Sequence, residues 1–190
     1  MTNFIDKKTI NNIFSYLLIF LPIALITGPF LTNLIVSLIS IYMLILLFVS
    51  NDIKQYLLNK INLILLFFWV YIVLRSLFAS NPYLSLESSL FYGRFIFFSI
   101  GVAYIIEKNT NFVKFFGYSL WLCLFLATLD GFIQYFTGFN SFGWEQIDPE
   151  RVSGFFKEEL ILGSYLSRLL PLGFFFIFFI NDKNRKRLFL

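Results

Sequence analysis

The sequence predicts an all-α, polytopic membrane protein with six transmembrane helices. Three observations carry this. Apolar residues make up 58% of the 190 residues, with 28 phenylalanines among them. They gather in six runs, each near the roughly 20 residues that cross a bilayer core. Basic residues sit between the runs with a one-sided bias. A soluble domain of this length has too little interior for so much apolar surface, so lipid is the solvent. Backbone groups in lipid must pair within their own segment, which makes the runs helices.

Residues 1–12 are polar and carry Lys7 and Lys8. The first run, 13–27, has this basic flank but no small-residue cleavage site before Gly28, so it reads as a retained span, not a cleaved signal peptide. Gly28-Pro29 marks a tight turn, because proline cannot continue the helix and glycine supplies the bend. The remaining spans are expected at 30–49, 61–79, 90–106, 115–136 and 160–180. A short amphipathic or irregular outer loop precedes the sixth. Pro171 is expected to kink that last span. The whole of 1–190 reads as one transmembrane helical domain.

Orientation follows from lysine and arginine. Lys7, Lys8, Lys54, Lys60, Lys108, Lys114, Lys183, Arg185, Lys186 and Arg187 all fall on one side under six alternating spans. That side is cytoplasmic, with the N-terminus on it. The tail turns apolar again at Leu188-Phe189-Leu190, like the start of a seventh span, so the chain is expected to be the front part of a longer protein.

Composition excludes several chemistries. There is no histidine, the commonest general base and metal ligand. The single cysteine, Cys123, lies in an apolar run and cannot form an internal disulfide. No CxxC, HExxH, P-loop or GxGxxG pattern supports a metal, ATP or dinucleotide site. The net charge of +4 reflects cytoplasmic loop lysines, not nucleic-acid binding.

Polar chemistry concentrates at 130–171. Five basic residues are left on the outward side: Arg75, Arg94, Arg151, Lys157 and Arg168. Arginine suits forked capture of phosphate, and a charge inside a span costs about 2.5–3.5 kcal/mol unless it finds a partner or a wet cavity. The group therefore reads as a site for an anionic lipid headgroup. Against this stands a structural reading, in which Arg168 pairs with Asp130, Glu158 or Glu159 and Arg75 snorkels to the interface. Asp130 and Gln134 lie one helical turn apart and share a face. They line a polar cavity, or Asp130 is a buried counter-ion. Glu158 and Glu159 precede the sixth span. One could act as a general base toward an attacking hydroxyl, or both could complement a helix dipole. Gly154 and Gly163 suit loop and packing roles. Trp144, Tyr135 and the loop phenylalanines suit an interfacial belt or a short loop helix lying on the membrane.

The order LDGFIQYFTGFNSFGW followed by RVSGFFKEELILGSYLSRLLP resembles the O-antigen ligase and polymerase family of bacterial envelope proteins. The residues that carry the likeness are Asp130, Gln134, Gly138, Arg151, Ser153, Gly154, Phe156, Glu159, Gly163, Tyr165 and Leu166. Upstream, residues 80–90 and Arg94 look like the family's outer loop between spans three and four. The resemblance covers about forty residues around the loop. It implies an inner-membrane glycosyltransferase that takes a glycan from undecaprenyl pyrophosphate on the periplasmic face. The acceptor would be lipid A–core for a ligase, or another repeat unit for a polymerase. The sugar–phosphate bond is already activated, so no cofactor and no metal is implied. Arg94, Arg151 and Arg168, with Arg75 behind them, would hold the departing pyrophosphate. In the family's ligases a histidine in a large later periplasmic loop is linked to catalysis. This chain has no histidine: either the catalytic part is expected beyond it, which the apolar restart at its C-terminus favours, or it is a family member with different chemistry.

Two other classes compete. A transporter or flippase for an anionic lipid needs polar residues along a path to the cytoplasmic side, whereas the intramembrane charges here sit toward the outer half. A non-catalytic scaffold would tolerate alanine at Arg94, Arg151 and Arg168.

Overall fold

A computed structural model describes residues 7–49 and 54–181 of the chain. The described residues are helical apart from turns and one loop. The order is α1 (Lys7–Thr27), α2 (Pro29–Val49), the single turn α3 (Lys54–Leu57), α4 (Lys60–Ser76), α5 (Pro82–Lys108), α6 (Thr110–Thr137), a 3-10 turn at Gly154–Phe156, and α7 (Leu162–Asn181). Among the described residues four helical stretches are long and apolar enough to cross a membrane: Thr9–Thr27, Pro29–Val49, Pro82–Lys108 and Asn111–Thr137. Their outward faces carry large apolar side chains such as Phe30, Phe48, Phe91 and Phe136. That is the surface of a membrane-embedded protein, since water would not tolerate so wide an apolar coat. α4 has 17 residues, and the apolar part of α7, Leu162–Ile177, is also shorter.

Helix ends follow local chemistry. Gly28 adopts φ +123° between α1 and α2, a conformation in which a Cβ would be strained. Pro29 then opens α2, where its missing N–H costs nothing. The Asn59 and Asn109 side chains accept backbone N–H groups at the starts of α4 and α6, a common use of asparagine. Gly138 closes α6 in the left-handed region, its N–H donating to the Gln134 carbonyl.

Several ends differ from expectation. α1 starts at Lys7, so part of the polar leader is already helical. α5 starts at Pro82 and not near residue 90. The stretch read as an outer loop is therefore mostly helix. Proline sits at the first helical position, and the Ser85 N–H donates to the Asn81 carbonyl. α4 correspondingly stops at Ser76, short of residue 79. α7 continues through Pro171. The basic tail and the apolar restart at 188–190 lie outside the described residues.

The chain divides into two compact units. One holds Met1–Phe14 with Asn33–Lys108, the other Ser15–Thr32 with Asn109–Leu190. In the first, Ile39, Met43, Ile100 and Tyr104 are buried, and Gly101 admits Ile39 so closely that a Cβ would meet its Cγ2 at 2.9 Å. Trp69 lies on Gly93 in the same way, and its indole N–H donates to the Ser89 carbonyl at 2.8 Å. In the second unit Leu18, Leu120, Leu124 and Phe176 form the interior. Ser119 donates to the Ile19 carbonyl at 2.7 Å, and the Trp121 indole donates to the Gly173 carbonyl at 3.0 Å. Each such bond ties neighbouring segments where lipid offers no competing partner.

Candidate functional site

The last turns of α6 present Asp130 and Gln134, separated by one helical turn and almost wholly buried, at 1% and 0% exposure. Among the described residues Asp130 makes no hydrogen bond to Arg168. Asp130 and Gln134 hold the following loop instead. The Gln134 Oε1 accepts the backbone N–H groups of Ser153 at 2.9 Å and Gly154 at 2.7 Å, and its Nε2 donates to the Ser153 hydroxyl at 3.3 Å. The Asp130 Oδ1 accepts the Ser141 N–H at 2.8 Å. Its Oδ2 is buried with no hydrogen-bond partner among the described residues. It faces Gly154, where an added Cβ would stand 3.4 Å from it.

Sequence reasoning missed the residue that completes this clamp. Asn140 is buried. Its Nδ2 donates to the Gly154 carbonyl at 2.9 Å, and its Oδ1 accepts from the Phe142 and Trp144 N–H groups at 3.0 and 2.8 Å. The signal was present: an asparagine shortly before a glycine forms such turns with its own backbone. The loop is irregular rather than an amphipathic helix. Phe142 packs between Trp144 and Phe155, and Lys157 stands over the Trp144 ring at 5.0 Å.

Lys157 carries the strain of the loop. It has φ 56° and ψ −117°, and the Glu159 N–H donates back to the Phe156 carbonyl at 3.0 Å. This is a tight turn with lysine at the corner where glycine is usual. A side chain held there marks a position that its surroundings fix. The turn presents Glu158 and Glu159, both exposed. Neither lies in the first turn of α7, which has no acidic residue, so the dipole-complementing role is not met. Arg151 is exposed and clips the loop to the helix start, its Nη2 donating to the Leu160 carbonyl at 3.0 Å. Arg168 is exposed on α7. Gly163 is exposed, and a Cβ added there would meet nothing within 4 Å.

Arg75 and Arg94 belong to the other unit. Arg75 is exposed in the last turn of α4. Arg94 sits well inside α5, half-buried. Its Nη2 donates to the Asn33 Oδ1 at 3.0 Å, its guanidinium lies 4.9 Å from the Phe95 ring centre, and its Nε is buried without a hydrogen-bond partner among the described residues. The Ser40 hydroxyl donates to its backbone carbonyl at 2.6 Å. Asn33 was not singled out from sequence, although a lone amide in an otherwise apolar helix was a usable signal.

No family model, curated protein or solved structure matches this chain. Among the described residues no group of three or more His, Cys, Asp or Glu could hold a metal ion. The arrangement therefore offers three chemical elements: exposed arginines, a pair of exposed carboxylates on a strained turn, and a buried amide–carboxylate clamp that fixes the loop bearing them.

Proposed function

We propose that the chain works on a lipid-linked, pyrophosphate-activated glycan at the outer surface of the bacterial inner membrane, as a glycosyltransferase of the O-antigen ligase or polymerase type. Its topology in this reading is six spans with a cytoplasmic N-terminus. The hydroxyl of lipid A–core or of a glycan repeat attacks the anomeric carbon. The bond from that carbon to the pyrophosphate oxygen breaks, and undecaprenyl pyrophosphate leaves. The hydroxyl proton passes to a carboxylate, for which Glu158 and Glu159 are the candidates. The candidates for stabilising the charge that develops on the leaving group are Arg94 in the first unit and Arg151 and Arg168 in the second.

The single observation that carries this reading is the state of Arg94. A guanidinium within a membrane-crossing helix has a neutral amide, Asn33, as its side-chain partner, and one buried N–H unused. A half-buried charge of this kind, set within an apolar helix, is suited to an anion that would complete it. The strained Lys157 turn beside Glu158 and Glu159 supports the assignment of the base.

The test is deletion of the gene in its host, followed by analysis of envelope glycolipids and of the undecaprenyl-linked fraction. Polymer accumulating on the carrier beside bare lipid A–core identifies a ligase. Core carrying a single repeat identifies a polymerase. Unchanged profiles in both fractions overturn the proposal in favour of a transporter or scaffold.

A further inference from the structure

We infer that the outward end of the α4–α5 hairpin is a binding groove for an anionic phospholipid, with Arg75 as the residue that takes its phosphate. The inference does not depend on the glycan-transfer reading.

A cleft of about 700 Å³ opens along the C-terminal turns of α4, the connection after it, and the N-terminal half of α5. That size lies within the roughly 300–1,000 Å³ of small-ligand clefts. Arg75 is the one charged residue in its lining, and no carboxylate joins it. Glu87, though on α5, is not part of the wall. Two of the lining serines are already engaged: the Ser89 hydroxyl donates to the Ser76 hydroxyl at 3.2 Å, and Ser76 donates to the Val73 carbonyl at 2.7 Å. Ser85 and Ser88 add hydroxyls on the α5 side, and Tyr71 and Tyr92 add phenols over broad apolar rings. A cationic fork among hydroxyls with apolar walls matches a phosphodiester joined to acyl chains.

Depth decides between such a lipid and a ligand from water. α4 carries charge only at its ends: Lys60 and Arg75 bracket the uncharged residues 61–74. The two are about 22 Å apart along the helix at 1.5 Å per residue. The hydrocarbon core is roughly 30 Å thick. Both charges thus lie slightly inside the acyl region and must reach outward, or draw phosphates inward. Lys60 can extend a flexible stem. Arg75 instead lines a cleft that a headgroup can enter.

The experiment is native mass spectrometry of the full chain released from detergent, titrated separately with phosphatidylglycerol and with phosphatidylcholine of the same acyl chains. The wild type should retain the anionic lipid in preference. Arg75→Ala should lower its retention about fivefold and abolish the preference, while Lys60→Ala leaves the wild-type pattern. Ser88→Leu, which fills the cleft and keeps the charge, should lower retention too. Undiminished retention in Arg75→Ala overturns the inference. So does normal retention in Ser88→Leu, which would mean attraction to a surface charge without a groove. Displacement of the bound phospholipid by equimolar undecaprenyl pyrophosphate would reassign the cleft to that carrier. Elution volume and tryptophan emission of each variant distinguish lost binding from lost folding; should Arg75→Ala misfold, Arg75→Gln replaces it with the same two outcomes.

Discussion

Gln134 and Gly154 are joined by a 2.7 Å hydrogen bond from the glycine N–H to the side-chain oxygen of the glutamine. The same oxygen accepts the Ser153 N–H. One amide in the penultimate turn of α6 thereby satisfies two backbone donors of the loop that precedes α7. The loop bears Arg151, Glu158 and Glu159, so its shape decides where those charges stand.

Gln134→Ala should loosen that loop. It leaves two buried N–H groups without an acceptor, at about 1–3 kcal/mol each. The thermal midpoint in detergent should fall, and trypsin should cut after Arg151 and Lys157 faster than in the wild type. Unchanged cleavage at a lowered midpoint would separate the clamp from the loop's order.

Asp130 poses a sharper question, because one of its oxygens is buried and unpaired. Asp130→Asn keeps an oxygen for the Ser141 N–H and removes a charge that is costly to bury. It should be at least as stable as the wild type, whereas Asp130→Ala should lose stability with its acceptor. Equal damage from both variants would show that the charge itself is needed, as a counter-ion would be.

Gly154→Ala tests the same place from the loop side. The position has φ +55°, and a Cβ would reach 3.4 Å from both the Asp130 Oδ2 and the Leu162 side chain. The contact distances are ordinary, so backbone conformation dominates. The expected cost is about 1–2 kcal/mol, read as a lower unfolding midpoint with no change in helix content by circular dichroism.

What the sequence disclosed differs between spans and site for physical reasons. Apolar runs are written directly in composition, and Gly28-Pro29 and Gly138 punctuate them. The start of α5 was obscured because Ser85, Ser88 and Ser89 give it the polar texture of a loop; they line the cleft between α4 and α5 from the α5 side. The shared face of Asp130 and Gln134 followed from their spacing of four. Their partners did not, because backbone N–H groups are the same at every position of a sequence. The link between Arg94 and Asn33 spans 61 residues, and no local pattern encodes such a pairing.

In the first unit, Gly93→Ala should separate α4 from α5. A Cβ there would stand 2.6 Å from the Trp69 ring, well inside contact distance. Overpacking of this kind costs about 1–3 kcal/mol, and it should also disturb the indole bond to the Ser89 carbonyl. Trp69→Phe alone loses that bond and some packing. The double variant should be more stable than the sum of the two single losses predicts, because the smaller ring makes room for the methyl. Strict additivity in this cycle would mean that the two residues do not press on each other.

Arg94 and Asn33 allow a test that separates anion binding from architecture. Arg94→Ala should reduce glycan transfer in a complementation assay by roughly 10²-fold, the scale of one lost donor at a developing anion. Asn33→Ala keeps the charge and removes the group that aims it, so a smaller loss of about tenfold is expected, near the value of a hydrogen bond to a charged group. Arg94→Lys should fall between wild type and Arg94→Ala, since a point charge remains but the fork is gone. Immunoblots of the membrane fraction decide what these losses mean. If protein levels fall in proportion to transfer, Arg94 is a packing residue of α5 and the anion site loses its main support. If levels hold while transfer drops in the order Asn33→Ala, Arg94→Lys, Arg94→Ala, the unused guanidinium N–H is doing chemistry, because a purely structural arginine would have no reason to sort its replacements by how well they grip phosphate.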